Sequence, residues 1–331
     1  DAKSGHCKLL IANNLYPLKL NFRQIGSFLT PYMNSIDYKN TYSIQRKNSV
    51  KSDEILYSCN LYGEVQRFSE QALLIAKQEK FNIIHCHDWM TFPAGILSKK
   101  FSEKPLIVHV HNTAFDRSAG NPSRHEYEIE QEGFNCADKI ITVSNYVKDM
   151  IINHYSVDKN KIFVVHNATD FNVFKKVDET FPFKGDDKIV LFLGRITVQK
   201  GPEYLLRAAK KVLEKFSKVK FIFAGDGDMK NKMVALSSEL GISDKVFFPG
   251  WLKGNDINRA YSMADLFVLP SVSEPFGLTP LEAIGNSCPV LISKQSGVSE
   301  VINHASKVDF WDVDKMAEKI LGVLNNKCLH E

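Results

Sequence analysis

The sequence predicts an α/β fold built on two parallel sheets, each covered by helices, and three observations lead there. At 331 residues the chain is longer than one hydrophobic core usually serves, so two domains are expected. Short apolar runs of strand length alternate with segments of helical period over 81–165 and again over 188–293. Continuous apolar strands separated by helices imply a parallel sheet buried on both faces. Between the two series lies KKVDETFPFKGDD, a charged stretch carrying Pro182 and Gly185 that breaks the alternation. It reads as a linker, giving an N-terminal domain over 1–174, a linker over 175–187 and a C-terminal domain over 188–331.

Residues 1–60 are the least regular, with one possible strand near 8–13 and no sustained period after it. From Tyr62 the positions Val65, Phe68, Ala72, Leu73, Ile75 and Ala76 recur at helical spacing, and the run 81–84 then suits a buried strand. The alternation continues with a helix over 92–99, a strand over 105–110, a helix over 124–136, a strand over 139–143, a helix over 145–154 and a strand over 161–165. After the linker come strands over 188–193, 219–224, 245–248, 266–269 and 290–293. Helices over 202–216, 229–240, 256–262 and 280–286 separate them, and an amphipathic helix over 312–324 ends the series.

Composition excludes several function classes. The 44% hydrophobic and 24% charged fractions are those of a globular protein. A net charge of +4, with 38 acidic residues balancing the basic ones and no long basic run, gives no footprint for nucleic acid. The six cysteines form no C-x-x-C, and most sit in apolar runs, which suits a reducing cytoplasm and no structural metal. No window reaches the roughly 20 apolar residues of a membrane span, and the N-terminus has no signal-peptide core, so a soluble cytoplasmic protein without an integral membrane segment is expected.

The motifs that carry chemistry lie at strand ends, where open α/β sheets bind ligands. In EPFGLTPLE, Glu274 and Glu282 flank a strand-to-helix turn. Pro280 suits the first helical position, Thr279 the N-cap, and Thr279 with Glu282 fits a capping box. The turn Phe276-Gly277-Leu278 aims backbone N–H groups where an anion would sit. In LFLGRITVQKG, Gly194 and Arg195 end a strand while Lys200 and Gly201 enter a helix, two cations suited to a diphosphate. Gly225-Asp226-Gly227 follows another strand and reads as a tight turn. In the first half, Ile83-Ile84-His85-Cys86-His87-Asp88-Trp89 brings H-x-H to a strand end. A catalytic zinc needs a third ligand, and none has convincing spacing nearby, so no metal site is expected. Val110-His111-Asn112-Thr113 ends the next strand.

Together these motifs, over about 81–324, resemble the retaining GT-B glycosyltransferases of family 4 and the glycogen/starch-synthase-like group. The resemblance implies two Rossmann-like domains facing a central cleft. In that family's E-x7-E motif the first Glu contacts the donor sugar, the second the ribose, and the turn amides the diphosphate. By resemblance, Arg195 and Lys200 neutralise the diphosphate, Asp88 of the H-x-H-D-W segment lies by the sugars, and His111 sits under the reacting sugar. Catalytic roles are thus implied for His111, Asp88, Arg195, Lys200 and Glu274. Donor contacts are implied for Gly194, Phe276, Gly277, Leu278, Thr279 and Glu282, and acceptor contacts for Asn112, Asp116 and Arg117. His166-Asn167-Ala168-Thr169-Asp170 resembles the family's H-N-G-V-D, with Ala168 where a Gly is usual. The family's Gly-rich loop near the N-terminus is not evident, only Gly5 and Gly26 appearing there, and neither is its C-terminal crossing helix.

The expected substrates are a UDP- or ADP-sugar donor and a glucan or other carbohydrate acceptor, with no cofactor required. Other readings are a family-4 transferase with a lipid-linked or small acceptor, a nucleotide-sugar-binding protein without turnover, and a sugar-nucleotide epimerase.

Overall fold

The computed structural model describes residues 23–30, 33–48, 58–171, 174 and 185–325. It divides into two compact units, one ending at Glu79 and one beginning at Lys80. The possible strand near 8–13, and all of the 175–187 linker except its last three residues, lie outside the described residues. Among those residues no helix is long and apolar enough to cross a membrane, and Cys59, Cys86, Cys136 and Cys288 are free thiols.

The first unit contains α1 (Ser35–Asn48) and α2 (Leu61–Gln78). Asn60 caps α2, its side chain accepting from the Gly63 amide at 2.8 Å, which satisfies one of the orphan donors of a helix start. The fully buried Glu64 accepts from the Ser27 hydroxyl at 2.7 Å and the Ser58 amide at 3.1 Å, and pairs with Arg67. A buried carboxylate is tolerated only when so partnered.

The second unit carries both sheets. The first is built from β1 (Ile84–His87), α3 (Phe92–Ser102), β2 (Leu106–Val110), α4 (Ala114–Arg117), α5 (Arg124–Cys136), β3 (Lys139–Thr142), α6 (Asn145–Tyr155) and β4 (Ile162–Val164). Its four strands are parallel in the order β1-β2-β3-β4. Here the expected strand over 81–84 is displaced: Ile83 is 55% exposed, and pairing runs from Ile84 opposite Leu106 to His87 opposite His109. The buried face of β1 is set by Cys86, onto which α3 closes at Gly95. A Cβ on Gly95 would lie 2.5 Å from the Cys86 sulfur.

The second sheet follows with β5 (Lys188–Leu193), α7 (Pro202–Leu213), β6 (Val219–Ala224), α8 (Lys230–Glu239), β7 (Val246–Gly250), α9 (Asn255–Met263), β8 (Leu266–Leu269), α10 (Thr279–Gly285), β9 (Val290–Ser293), β10 (Ser306–Val308) and α11 (Val313–Asn325). Six parallel strands run in the order β10-β9-β8-β5-β6-β7. All four residues of β8 and of β9 are buried, as strands covered on both faces require. Leu205, Leu206, Ala208, Ala209 and Val212 give α7 a continuous apolar stripe against Val190, Phe192 and Phe221. The sequence reading missed β10, because three residues reading Ser-Lys-Val carry no apolar run.

Candidate active site

The chain leaves β5 for β6 on one side and later returns to β5's other side as β8, so β5 and β8 flank the point where strand order reverses. Loops leaving two such strands diverge around a crevice. The loop after β5 carries Gly194, Arg195 and Lys200, and the loop after β8 carries Glu274 to Leu278. The Lys200 ammonium donates to the Glu274 carboxylate, and the Ser271 hydroxyl donates to the same oxygen at 3.2 Å. Glu274 is only 6% exposed. Its backbone is fixed by strand-like pairing with the loop after β9: the Glu274 amide donates to the Gln295 carbonyl at 3.0 Å, and the Gly297 amide donates to the Glu274 carbonyl at 2.9 Å.

Arg195 donates to the Gln199 side-chain oxygen at 3.2 Å, while the Gln199 carbonyl accepts the Val272 amide at 2.9 Å. The two loops thus meet through Gln199 as well as through Lys200. Gly201 makes the approach possible. Its φ of 62° is left-handed, and a Cβ there would lie 2.1 Å from the Pro270 carbonyl oxygen. Gly225 serves the same purpose on the β6 side, where a Cβ would meet the Gly194 carbonyl at 1.8 Å. The Gly-Asp-Gly turn is therefore a close backbone approach beside Gly194.

The turn after Glu274 departs from expectation in one respect. Leu278 is already helical (φ −77°, ψ −29°) and is the capping position of α10, so Thr279 lies inside the helix and makes no capping bond. The expected Thr279–Glu282 capping box does not form. Glu282 instead accepts from the Tyr261 hydroxyl at 3.0 Å, and burial, with Glu282 beside it, pushes the Tyr261 phenol far above its ordinary range. Phe276 is 2% exposed, and its carbonyl accepts the Val298 amide at 2.7 Å, so it anchors the turn. Gly277 has φ 99°. The amides of Gly277 and Leu278 have no hydrogen-bond acceptor among the described residues.

On the first sheet, Asp88 stands at the end of β1 with φ 58°, an uncommon backbone for a residue with a side chain. Its carboxylate accepts from the amides of His111 at 2.7 Å and Asn112 at 3.3 Å, and its own amide donates to the His109 carbonyl at 3.0 Å. The ends of β1 and β2 are thus tied through this residue. Burial is the main cause that pushes the Asp88 carboxyl up to about 6, against the lowering effect of those amides and of Arg117. His111 Nε2 lies 2.9 Å from His87 Nδ1. Burial, and then the nearby His85, hold the His111 imidazole below its ordinary value, favouring the neutral ring.

Asn112 is 5% exposed, and its side-chain oxygen is buried without a partner among the described residues. Asp116 and Arg117 face inward. Asp116 completes a capping box with Thr113 at the start of α4. Arg117 pairs with Glu126 at 2.7 Å and Glu130 at 2.9 Å and donates to the Asn112 carbonyl at 3.1 Å. Their side chains hold the loop after β2 in place, and Asn112 is the member of the expected acceptor set that keeps an unused polar atom.

Residues the sequence did not single out bind the two sheets' loops together. Ser273 donates to Asp116 Oδ1 at 2.5 Å and lies 3.0 Å from the Tyr146 hydroxyl. Glu300 accepts from the Asn145 amide at 2.9 Å and the Tyr146 amide at 2.8 Å, and its carboxylate is 2.9 Å from His166 Nε2. The carboxyl ends of the two sheets are therefore turned toward one another. No motif announces Ser273, Asn145, Tyr146 or Glu300, since each is a single residue whose role depends on the opposite sheet.

Comparison with known proteins agrees with this geometry. Residues 52–173 match the model described as Glycosyltransferase Family 4, and residues 173–331 match the model described as Glycosyl transferases group 1. The chain belongs to the family-4 glycosyltransferases of the GT-B fold. Among its relatives, an uncharacterized glycosyltransferase of Methanocaldococcus jannaschii is 34% identical over 247 residues, covering 71% of this chain and 63% of the relative. A D-inositol 3-phosphate glycosyltransferase of Mycolicibacterium smegmatis is 29% identical over 266 residues, covering 75% and 60%. The chain thus spans about three fifths of these relatives' length. The GT-B architecture is also that of Anabaena HepE in complex with UDP and glucose. The two structures align with a TM-score of 0.67 at 19% identity, over 81% of this chain and 73% of HepE.

Proposed function

We propose that this family-4 chain transfers a hexosyl unit, glucose by preference, from a nucleotide diphospho-sugar to an acceptor hydroxyl with retention of configuration. The donor lies in the 188–331 domain and the acceptor against the 1–174 domain. The observation that carries the reading is the contact between Lys200 and the buried Glu274 at the β5/β8 reversal, with Arg195 on the same loop. A buried carboxylate held by a lysine is poised for exchange. When a diphosphate enters, Lys200 and Arg195 turn to its oxygens, and Glu274 is released to accept from sugar hydroxyls. The turn amides of Gly277 and Leu278 supply neutral donors to the same anion, and Glu282, steadied by Tyr261, accepts from the ribose.

Charge develops on the departing diphosphate as the glycosidic bond breaks, and preorganised donors there are worth about 10²–10³ in rate each. Among the described residues no nucleophile paired with an adjacent base adjoins the site. The acceptor oxygen therefore attacks from the face the diphosphate leaves, and a leaving-group oxygen takes the acceptor's proton. His111, fixed by Asp88, lines that face as a neutral ring, while cleft closure excludes water. UDP is the favoured nucleotide, since HepE binds UDP with glucose, and ADP is the alternative. The H-x-H-D-W segment favours a glucan acceptor. The D-inositol 3-phosphate transferase name favours a small phosphorylated acceptor instead.

The test is nucleotide release from UDP-glucose and from ADP-glucose, with no acceptor, with glycogen, and with inositol phosphate. Acceptor-dependent release, with the α-linked product identified by NMR, is expected. UDP binding without release under any condition would leave a binding protein. Sugar-nucleotide conversion with no acceptor added would make the chain an epimerase.

A further inference from the structure

The four-stranded sheet carries a cluster that the transfer chemistry does not use. His85 and His87 are two residues apart on β1, and His109 on β2 is paired in register with His87, so the pleat puts all three imidazoles on one face. One nitrogen from each ring lies within 4.8 Å of those from the other two. The rings form a triangle, with centroids 4.6 Å apart for His85 and His87, 4.9 Å for His87 and His109 and 5.6 Å for His85 and His109. His85 and His87 are exposed. Both ring nitrogens of His109 are buried without a hydrogen-bond partner among the described residues, a costly state for a group with one donor and one acceptor to satisfy.

We propose that His85, His87 and His109 bind a divalent transition metal of the zinc class. Imidazole nitrogen is a preferred ligand of Zn²⁺. Two ligands from an H-x-H strand and a third from the neighbouring strand give a three-nitrogen set with an open fourth position. Tetrahedral bonds of about 2.1 Å put ligand nitrogens about 3.4 Å apart. Closure therefore takes modest ring rotations, chiefly of the exposed His85. Metal binding takes the neutral ring. Burial first, then the neighbouring imidazoles, hold His87 below its ordinary value and lower His109 to about 3, so no ligand has to lose a proton at neutral pH.

His87 connects this site to His111. Its Nδ1 faces His111 Nε2, which leaves Nε2 for the metal. A metal-bound imidazole donates its other N–H, so the ion fixes His87 as the donor and His111 Nε2 as the acceptor. The ion thus sets the tautomer of His111 without touching a substrate.

The experiment titrates the full chain, stripped by chelator, with Co²⁺ and then Zn²⁺, and follows the visible d–d absorption of four-coordinate Co²⁺. The expected result is a saturable one-equivalent band abolished by Zn²⁺. His85→Asn and His109→Asn should each weaken Zn²⁺ binding by more than about 100-fold, since even an outer partner of a metal ligand is worth 10–100-fold. His85 is exposed, so His85→Asn leaves the fold intact, as circular dichroism will verify. Absence of the band, or a Zn²⁺ affinity in His85→Asn and His109→Asn equal to that of the wild type, overturns the site. UDP binding, measured in parallel, reports on the donor site separately.

Discussion

The ammonium of Lys200 and the carboxylate of Glu274 are in contact although 74 residues separate them, and Glu274 is 6% exposed. Burying such a pair costs desolvation on both sides, so its contribution to stability is small while it is intact and its loss is severe. Lys200→Ala leaves the Glu274 carboxylate buried with the Ser271 hydroxyl as its remaining side-chain donor among the described residues. Two effects are expected together: a drop of about 3 kcal/mol in unfolding free energy, read by urea denaturation, and a fall in kcat of about 10² or more, read by nucleotide release. Unchanged turnover would contradict the diphosphate role.

Asp88 gives the pH dependence. Burial pushes its carboxyl up to about 6, above the usual carboxylate range. Above that pH it is an anion accepting the amides of His111 and Asn112, and below it the charge is lost. The rate should therefore fall as pH drops through about 6. Asp88→Asn keeps an oxygen acceptor but cannot titrate, so this variant should lose the acid limb of the kcat/KM profile between about pH 5 and about pH 8. An unaltered acid limb in the variant would assign it to another group.

The alternation of apolar runs and helical periods was legible from about 84 onward because buried parallel strands need continuous apolar residues. Strands β5, β6, β8 and β9 have the bounds the sequence suggests. Sequence period misplaced β1, because its exposed face is lined by His85 and His87 and the apolar run precedes the pairing. The loops at the β5 and β8 ends are legible for a different reason: glycines and prolines mark turns, so Gly201, Gly277 and Pro280 outline the loops before any contact is known. Partners across the fold were not legible. Tyr261 under Glu282, Ser273 under Asp116, and His109 beside His87 depend on strand order and register, which no local pattern encodes. The capping box at Thr279 failed because the same four-residue pattern fits a helix that starts one turn position earlier.

Ser273 makes a prediction about the two sheets. Its hydroxyl donates to Asp116 Oδ1, and Asp116 is fully buried. Ser273→Ala removes one partner and strands the other, which costs about 1–3 kcal/mol. Ser273→Thr retains the hydroxyl and should recover most of that loss in thermal melting. If the alanine and threonine variants melt alike, the hydroxyl is not what holds Asp116.

Gly201 separates backbone strain from loop contact. Placing any side chain at its φ of 62° costs about 1–2 kcal/mol by itself. A Cβ there also lies 2.1 Å from the Pro270 carbonyl oxygen, which is backbone and cannot swing aside. Gly241, at φ 67° with nothing within 4 Å of where a Cβ would stand, carries only the first cost. Gly201→Ala should therefore lose at least about 2 kcal/mol more than Gly241→Ala in urea denaturation. It should also raise KM for the donor, because the loop bearing Lys200 is forced away from the loop bearing Glu274. Equal losses in the two variants would mean that the β5 and β8 loops do not need this close approach, and the donor crevice would have to be drawn with Lys200 elsewhere.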